Sequence, residues 1–199
     1  MPRAALREDE LASFRQRATG AAMHLFAEQG YEGVTMRALA AALGVSAMTP
    51  YRYFGGKEEL FAMVRAEAFR RFAQVLEAAT GGRVGPLERL RRLKRAYIGF
   101  ALDQRDEYRI MFELRQPDPA NHPDLVTQSR RAFGVLHRTV AEAVEEGLLA
   151  GDPLQIAYVI WADTHGLVSL HLAGKLGGRT LKEVAAIDHE LAAFSRRRS

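Results

Sequence analysis

One stretch in the first third of the chain constrains the fold most. Residues 35–57 read TMRALAAALGVSAMTPYRYFGGK. A first segment of helical apolar periodicity ends at Gly44, and a second carries Met48, Tyr51 and Phe54 before two glycines stop it. Two helices joined by about three residues must cross steeply, and Gly44 can adopt the positive φ that such a turn needs. The stretch therefore predicts a helix, a tight turn and a second helix at about residues 35–54.

The same stretch is free of acidic residues. From Gly33 to Lys57 there is no Asp or Glu, and the charged residues are Arg37, Arg52 and Lys57. A surface without carboxylates suits a polyanion, because each carboxylate close to phosphate would weaken binding. The net charge of +4 is weaker evidence, since residues 1–60 contain as many acidic as basic residues. Local segregation of charge thus indicates a nucleic-acid surface.

Pro50 limits the second helix. Proline has no amide donor and disfavours the α conformation at the preceding residue, here Thr49. It is tolerated within a first helical turn, whose donors lack intrahelical partners. We therefore expect a short recognition helix that starts near Ala47 or Met48. Thr35 and Ser46 stand where N-cap side chains would accept amide hydrogens.

At these residues the chain resembles the TetR family of transcriptional regulators. The similarity includes LFAEQGYEGVT, LGVSxxTxYRYF and GGKEEL, about forty consecutive residues in register. It implies an all-α fold with an N-terminal three-helix helix-turn-helix DNA-binding domain at residues 1–56. A larger helical domain for effector binding and dimerisation would occupy residues 57–199. It further implies a homodimeric, ligand-responsive repressor that binds a palindromic operator in double-stranded DNA and is released by a small-molecule effector.

The resemblance carries over to ten DNA-binding positions. Those expected to face bases are Arg37, Ala47, Met48, Thr49 and Arg52. Those expected to hold phosphate oxygens are Thr35, Ser46, Tyr51, Tyr53 and Lys57. Arg37 is the best candidate for a bidentate contact to guanine, because its guanidinium fork matches the two acceptors of that base.

Two apolar helices near the end, at about residues 153–175 and 180–196, have too few partners within one chain. Small residues along the first would let another helix approach closely. We expect both to pair with their copies in a second subunit as a four-helix bundle. The predicted dimer interface comprises Ala162, Gly166, Ser169, Ala173, Val184, Ile187, Leu191 and Phe194.

The sequence WADTHG at residues 161–166 resembles the subgroup of regulators whose effector domain is named for a Trp-His-Gly motif. Aromatic, histidine and methionine residues at helical spacing can line a small-molecule pocket, although each could equally be core. For His165 we weigh core packing, an inducer contact and a metal site with His137 and His171. The candidate effector residues are Tyr97, Phe100, Met111, Phe112, Phe133, His137, Tyr158, Trp161 and His165.

Composition narrows the remaining classes. The absence of cysteine excludes disulfides and thiolate metal sites. No apolar stretch is long enough to span a membrane, and the start lacks a signal peptide, so we expect a cytoplasmic protein. No convergent catalytic group is visible, so we expect no enzyme and no metal or cofactor beyond an unidentified effector. The alternative is a helical small-molecule-binding protein or enzyme that keeps the fold without binding DNA.

A basic run, RLRRLKRAY at residues 89–97, has two interpretations. Its charges could cover a solvated helix face or form a second nucleic-acid site. We favour the solvated face, because the pattern of charge alone carries no feature specific to nucleic acid.

Overall fold

Helices make up the regular structure. The computed structural model describes residues 8–112, 121–178, 180 and 181. In chain order the α-helices are α1 (Glu8–Gly33), α2 (Met36–Ala42), α3 (Lys57–Ala79), α4 (Pro86–Asp103), α5 (Arg105–Phe112), α6 (Pro123–Glu145) and α7 (Pro153–Leu172). The predicted all-α class is confirmed. None of these described helices combines the length and the apolar character needed to cross a bilayer.

The chain divides into two compact units. The first comprises Met1–Arg71 and Gln104–Ser129, and the second comprises Phe72–Asp103 and Arg130–Ser199. Two of the three changeovers fall within α3 and α6, so each of these helices contributes to both units, and the third lies between α4 and α5. These units do not follow the predicted domain boundary between residues 56 and 57. That boundary of the DNA-binding domain stays a prediction.

The core of the first unit is built on aromatic rings from α1 and α3. The ring centroids of Phe26 and Phe61 lie 4.6 Å apart, and both side chains are fully buried. Leu39 of α2 and Phe54 are buried with them, as predicted for a three-helix unit. Gly30, at a φ of 70°, interrupts α1, so residues 31–33 form a separate last turn. This agrees with the predicted end of the first helix.

In the second unit, α4 packs against α7. Leu90 and Leu93 of α4 are buried, as are Ile156 and Ile160 of α7. The Asp152 carboxylate caps α7 by accepting hydrogen bonds from the amides of Leu154 and Gln155 at 3.4 and 3.1 Å. The predicted start of this helix is thus confirmed. It ends at Leu172, slightly before the predicted residue 175, and the second predicted dimer helix lies outside the described residues except for its first two positions.

Candidate nucleic-acid interface

The first helix of the predicted helix-turn-helix is capped at both ends by local contacts. At its start, the Thr35 hydroxyl accepts a hydrogen bond from the Ala38 amide at 3.1 Å. At its end, Gly44 has a φ of 66°, and the Val45 amide donates to the Ala40 carbonyl at 3.0 Å. This is the Schellman arrangement, in which the left-handed residue is glycine because it has no Cβ. The predicted N-cap at Thr35 and the predicted positive φ at Gly44 are confirmed.

The predicted second helix is shorter and tighter than expected. Residues 47–49 form a turn, and regular structure is limited to a 3₁₀ segment, Pro50–Arg52. The Thr49 amide donates to the Ser46 carbonyl at 2.8 Å, and the Arg52 amide to the Thr49 carbonyl at 3.0 Å. Pro50 has no amide hydrogen to give to Ser46, so these bonds span three residues rather than four. The prediction of a recognition helix that starts near Ala47 or Met48 was therefore wrong.

One local expectation in this turn is confirmed, and another was wrong. Pro50 lies in the first helical turn, where proline is tolerated, and Thr49 before it adopts the α conformation, with φ of −62° and ψ of −48°. Ser46 does not cap an amide with its side chain. Its hydroxyl lies 2.8 Å from the Thr49 hydroxyl instead, while its carbonyl accepts the Thr49 amide. The two hydroxyls bridge the turn and fix its geometry.

The 3₁₀ segment separates anchors from solvent-facing side chains. Pro50 and Phe54 are buried, and the Tyr53 ring stacks on Phe14 of α1 with centroids 4.0 Å apart. Met48 and Tyr51 are exposed to 68% and 52%, and Ala47 and Arg52 are exposed as well. Because apolar groups of this size seldom face water without a function, the exposed side indicates a contact surface.

The cations of this surface differ in availability. Arg37 on α2 and Arg52 are exposed, and neither pairs with an acidic side chain among the described residues. Lys57 is already engaged. Its ammonium donates to the carbonyl of Tyr31 at 3.0 Å and lies 3.7 Å from a carboxylate oxygen of Glu32. It therefore closes the end of α1, a role that sequence analysis missed.

Two acids, Glu58 and Glu59, follow this stretch directly. Glu58 is exposed, whereas the Glu59 carboxylate accepts a hydrogen bond from the Gly55 amide at 2.7 Å. The acid-free surface therefore ends at Lys57.

The candidate effector residues divide between the units. Met111 and Phe112 belong to the first, where Phe112 packs edge-on against Phe69 at 5.6 Å. In the second, Phe133 lies 4.8 Å from Tyr158 and 5.8 Å from Trp161 between ring centroids. The rest have mixed environments: Tyr97 and Phe100 are buried, His137 is half-buried, and the Tyr97 hydroxyl lies 3.1 Å from Nδ1 of His165.

Basic residues of the run in α4 pair with acidic residues of the second unit. Arg92 and Arg95 hydrogen-bond to Glu88, and Arg89 does so to Glu142. Lys94 is 4% exposed, and its ammonium donates to Asp163 of α7 at 3.1 Å. The prediction of a solvated helix face was therefore wrong for Lys94. The helical spacing of Lys94 with Leu90 and Tyr97 could have predicted its burial.

One face of α7 is apolar and exposed within the single chain. Leu154, Tyr158, Val159 and Leu170 are exposed there, together with Ala162 and Ala173. Gly166 and Ser169 on the same face are half-buried. The other four predicted interface residues, Val184, Ile187, Leu191 and Phe194, lie outside the described residues.

Comparison with known proteins matches both parts of the chain. Residues 19–64 match the family model "Bacterial regulatory proteins, tetR family". Residues 90–194, just over half of the chain, match the model "Tetracyclin repressor-like, C-terminal domain". These matches confirm the predicted resemblance to the TetR family, and they indicate regulators rather than enzymes.

Curated relatives and a solved structure agree. The chain is 30% identical over 146 residues to the HTH-type transcriptional regulator TcmR of Streptomyces glaucescens, covering 73% of the chain and 61% of TcmR. It is 40% identical over 68 residues to the HTH-type transcriptional repressor AcnR of Corynebacterium glutamicum, covering 34% and 36%. The chain thus covers less than two thirds of either relative. A structure of a protein with unknown function from Rhodococcus sp. RHA1 aligns with a TM-score of 0.81 at 27% identity, covering 92% of this chain and 95% of that one.

Proposed function

The chain belongs to the TetR family of bacterial regulatory proteins, and we propose from this premise that it is a DNA-binding repressor of transcription in the cytoplasm. The observation that carries the proposal is the exposed side of residues 35–57. It presents Arg37, Met48, Tyr51 and Arg52 to solvent on a stretch without acids, held from behind by buried Phe54. The printed names of TcmR and AcnR, a transcriptional regulator and a repressor, agree with this proposal.

In this proposal one set of residues contacts bases and another contacts phosphates. Arg37, Ala47, Met48, Thr49 and Arg52 face base edges in the major groove, where specificity is read. Thr35, Ser46, Tyr51, Tyr53 and Lys57 hold the phosphates, which set register and supply most of the affinity. Lys57 can contribute only while it also closes α1. Arg37 and Arg52 therefore carry the electrostatic part.

The geometry of the turn also bears on how the surface reads DNA. A three-residue 3₁₀ segment supplies no extended helix face, so base contacts must come from a few side chains at the turn. Met48 and Tyr51 suit the methyl groups of thymine and the sugar–phosphate edge, respectively. We therefore expect specificity to be concentrated in a few base pairs of each half-site.

We further propose a homodimer formed through α7 and the predicted helix at 180–196. The exposed apolar face of α7 supports it, because a monomer would leave Leu154, Tyr158 and Val159 in water. Introducing charge there with Ala162→Glu should convert a species of about twice 22.1 kDa to the monomer in sedimentation velocity. Ala78→Glu, at an exposed position of α3, is the matched control and should remain dimeric.

The proposed repressor responds to a small-molecule effector bound by its helical C-terminal part. The aromatic group of Phe133, Tyr158 and Trp161 supports this, as does the Trp-His-Gly motif that suggests the named subgroup. An effector would release DNA only by binding the non-operator state more tightly. It would thereby move the two reading surfaces of the dimer away from the half-site spacing that the operator requires.

The experiment that tests the proposal is selection of bound duplexes from a random DNA pool by the purified protein. A repressor of this kind should enrich a palindrome whose half-sites match a two-fold symmetric dimer. Recovery of no common sequence would contradict the proposal and favour the alternative, a helical binding protein that keeps the fold without DNA. Repeating the selection with Arg37→Gln distinguishes a specific reading surface from general attraction to polyanions.

A further inference from the structure

Arg65 is a buried cation in the middle of α3. It is 6% exposed, whereas arginine is almost never buried in proteins unless it is paired. Phe61 and Phe69 lie one helical turn before and after it, and both are buried. Arg65 thus lies between two aromatic side chains in the part of α3 that belongs to the first unit.

Arg65 has no acidic partner among the described residues. Its Nε is enclosed and makes no hydrogen bond. Its guanidinium carbon lies 6.0 Å from the centroid of the Phe61 ring, at the far limit of a cation–π contact. Burial alone lowers the pKa of Arg65 to about 10, and no carboxylate offsets this effect. At neutral pH the side chain nevertheless carries its positive charge.

Two other arginines of α3, unlike Arg65, have acidic partners. Arg70 and Arg71 both hydrogen-bond to Glu67, at 2.6 and 2.9 Å, and Arg71 also reaches Glu107 at 2.8 Å. The hydrogen bond to Glu67 raises the pKa of each. Among the described residues, the two half-exposed arginines thus have acidic partners and the buried one has none. This is the reverse of what stability alone would favour.

We propose that Arg65 anchors a monovalent organic carboxylate, aromatic or aliphatic, as a ligand of this regulator. A single buried guanidinium is neutralised by one negative charge, and its fork matches the two oxygens of a carboxylate. Buried Phe61 and Phe69, one helical turn to either side of Arg65, favour a hydrophobic body on the ligand. Phe112, a residue already expected to contact the effector, packs against Phe69. A phosphate dianion would bring a second, uncompensated charge into the same apolar site.

The position of Arg65 connects such a ligand to DNA binding. α3 begins at Lys57, which closes the end of α1, and Arg65 lies eight residues further along the same helix, about 12 Å away. The regulatory consequence rests on the proposed function, whereas carboxylate binding itself rests on Arg65. As an effector, the carboxylate should change operator affinity by about 5- to 150-fold at saturation.

Benzoate tests the inference without DNA. Thermal unfolding of the full chain should shift upward by about 3–6 °C in benzoate at roughly tenfold its dissociation constant. Benzamide has the same shape as benzoate but no charge. At the same concentration, with chloride added to equal ionic strength, benzamide should leave the Tm unchanged. Equal shifts with benzoate and benzamide would overturn the assignment of a carboxylate.

Variants of Arg65 separate the site from general anion effects. Arg65→Met removes an unpaired buried charge, so the free variant should be at least as stable as the wild type and should lose the benzoate shift. Arg65→Lys keeps the charge but loses the fork, and should show a smaller shift. Arg130→Met, at an exposed arginine of α6, should keep the full shift. A full shift in Arg65→Met would overturn the proposal.

An internal carboxylate is the competing partner for Arg65. Glu113 and Asp118 lie outside the described residues, and their amide variants Glu113→Gln and Asp118→Asn test it. Both should retain the wild-type Tm and the benzoate shift. A loss of stability in Arg65→Met matched by one of these variants would show an ion pair within the chain and overturn the proposal. Operator binding measured without benzoate tests the proposed function separately.

Discussion

The ammonium of Lys57 lies 3.0 Å from the carbonyl oxygen of Tyr31 and 4.4 Å from the centre of the Tyr31 ring. One lysine at the start of α3 thereby fixes the chain that leaves α1. The N-terminal end of one helix and the C-terminal end of another are held together behind the exposed turn. The orientation of the reading surface depends on this link, whether or not Lys57 also approaches a phosphate.

Lys57→Met should therefore act first on stability. The variant loses a hydrogen bond from a charged donor and a cation–π contact in a partly buried setting, so we expect a loss of about 1–2 kcal/mol in the free energy of unfolding. Denaturant titration measures it. The slope of log K for DNA against log salt should change by less than one, because the ammonium has internal partners. Unchanged stability with a clearly shallower salt slope would make Lys57 a phosphate ligand instead.

Thr35→Ala removes the side-chain cap of α2. Loss of the hydrogen bond to Ala38 should lower the free energy of unfolding by about 1 kcal/mol. Thr35→Ser keeps the hydroxyl and is the matched control, with stability close to that of the wild type. Equal stability of both variants in denaturant would mean that the cap contributes nothing in water.

The Lys94–Asp163 pair should respond asymmetrically to substitution. Asp163→Asn leaves the buried ammonium without its carboxylate, so we expect a loss of about 1–3 kcal/mol, limited because Asp163 is partly exposed. Lys94→Met replaces the buried charge with an apolar side chain of similar length and should be less destabilising. Chemical denaturation of both variants checks this order. A larger loss for Lys94→Met would contradict it.

Glu107 should make stability depend on pH in the direction of a buried acid. Burial raises the pKa of this carboxyl in the folded protein, although the Arg71 guanidinium opposes the shift. Its contribution to stability is therefore full below the ordinary range of glutamate and is lost as pH rises through the raised folded pKa. Glutamine does not ionise, so the Glu107→Gln variant does not lose stability in this way as pH rises.

The measurement for Glu107 is a difference between two proteins. The free energy of unfolding of Glu107→Gln minus that of the wild type should increase from pH 4 to pH 7. Carboxylates that do not interact with Glu107 cancel in this difference. A difference that stays constant over this range would mean that Glu107 ionises normally.

Local patterns in the sequence predicted the features that local interactions control. Gly44 at the left-handed turn, Thr35 at the N-cap and Asp152 before Pro153 each act within a few residues. The first-turn position of Pro50 was also predicted, whereas the expected side-chain cap by Ser46 was wrong. The tight turn is stabilised by the Ser46–Thr49 hydroxyl contact and by burial of Pro50 and Phe54, which sequence reasoning had not combined.

Roles that depend on partners distant in sequence were not predictable. Lys57 meets Tyr31 across 26 residues, and Lys94 meets Asp163 across 69. A charged residue within an apolar pattern signals burial, but the pattern does not identify its partner. The burial of Arg65 has the same origin. Only the structure shows that no carboxylate pairs with it among the described residues.

Binding of the selected duplex by wild type and Arg37→Gln, measured by fluorescence anisotropy over a salt series, tests the central claim most directly. The account predicts that the wild type loses affinity steeply with salt. It predicts that Arg37→Gln binds about 1–3 kcal/mol more weakly and relaxes specificity at one base pair per half-site. Arg130→Gln, at an exposed arginine outside the surface, should bind like the wild type. Wild-type affinity and specificity in Arg37→Gln would contradict the assignment of residues 35–57 as the DNA-reading surface.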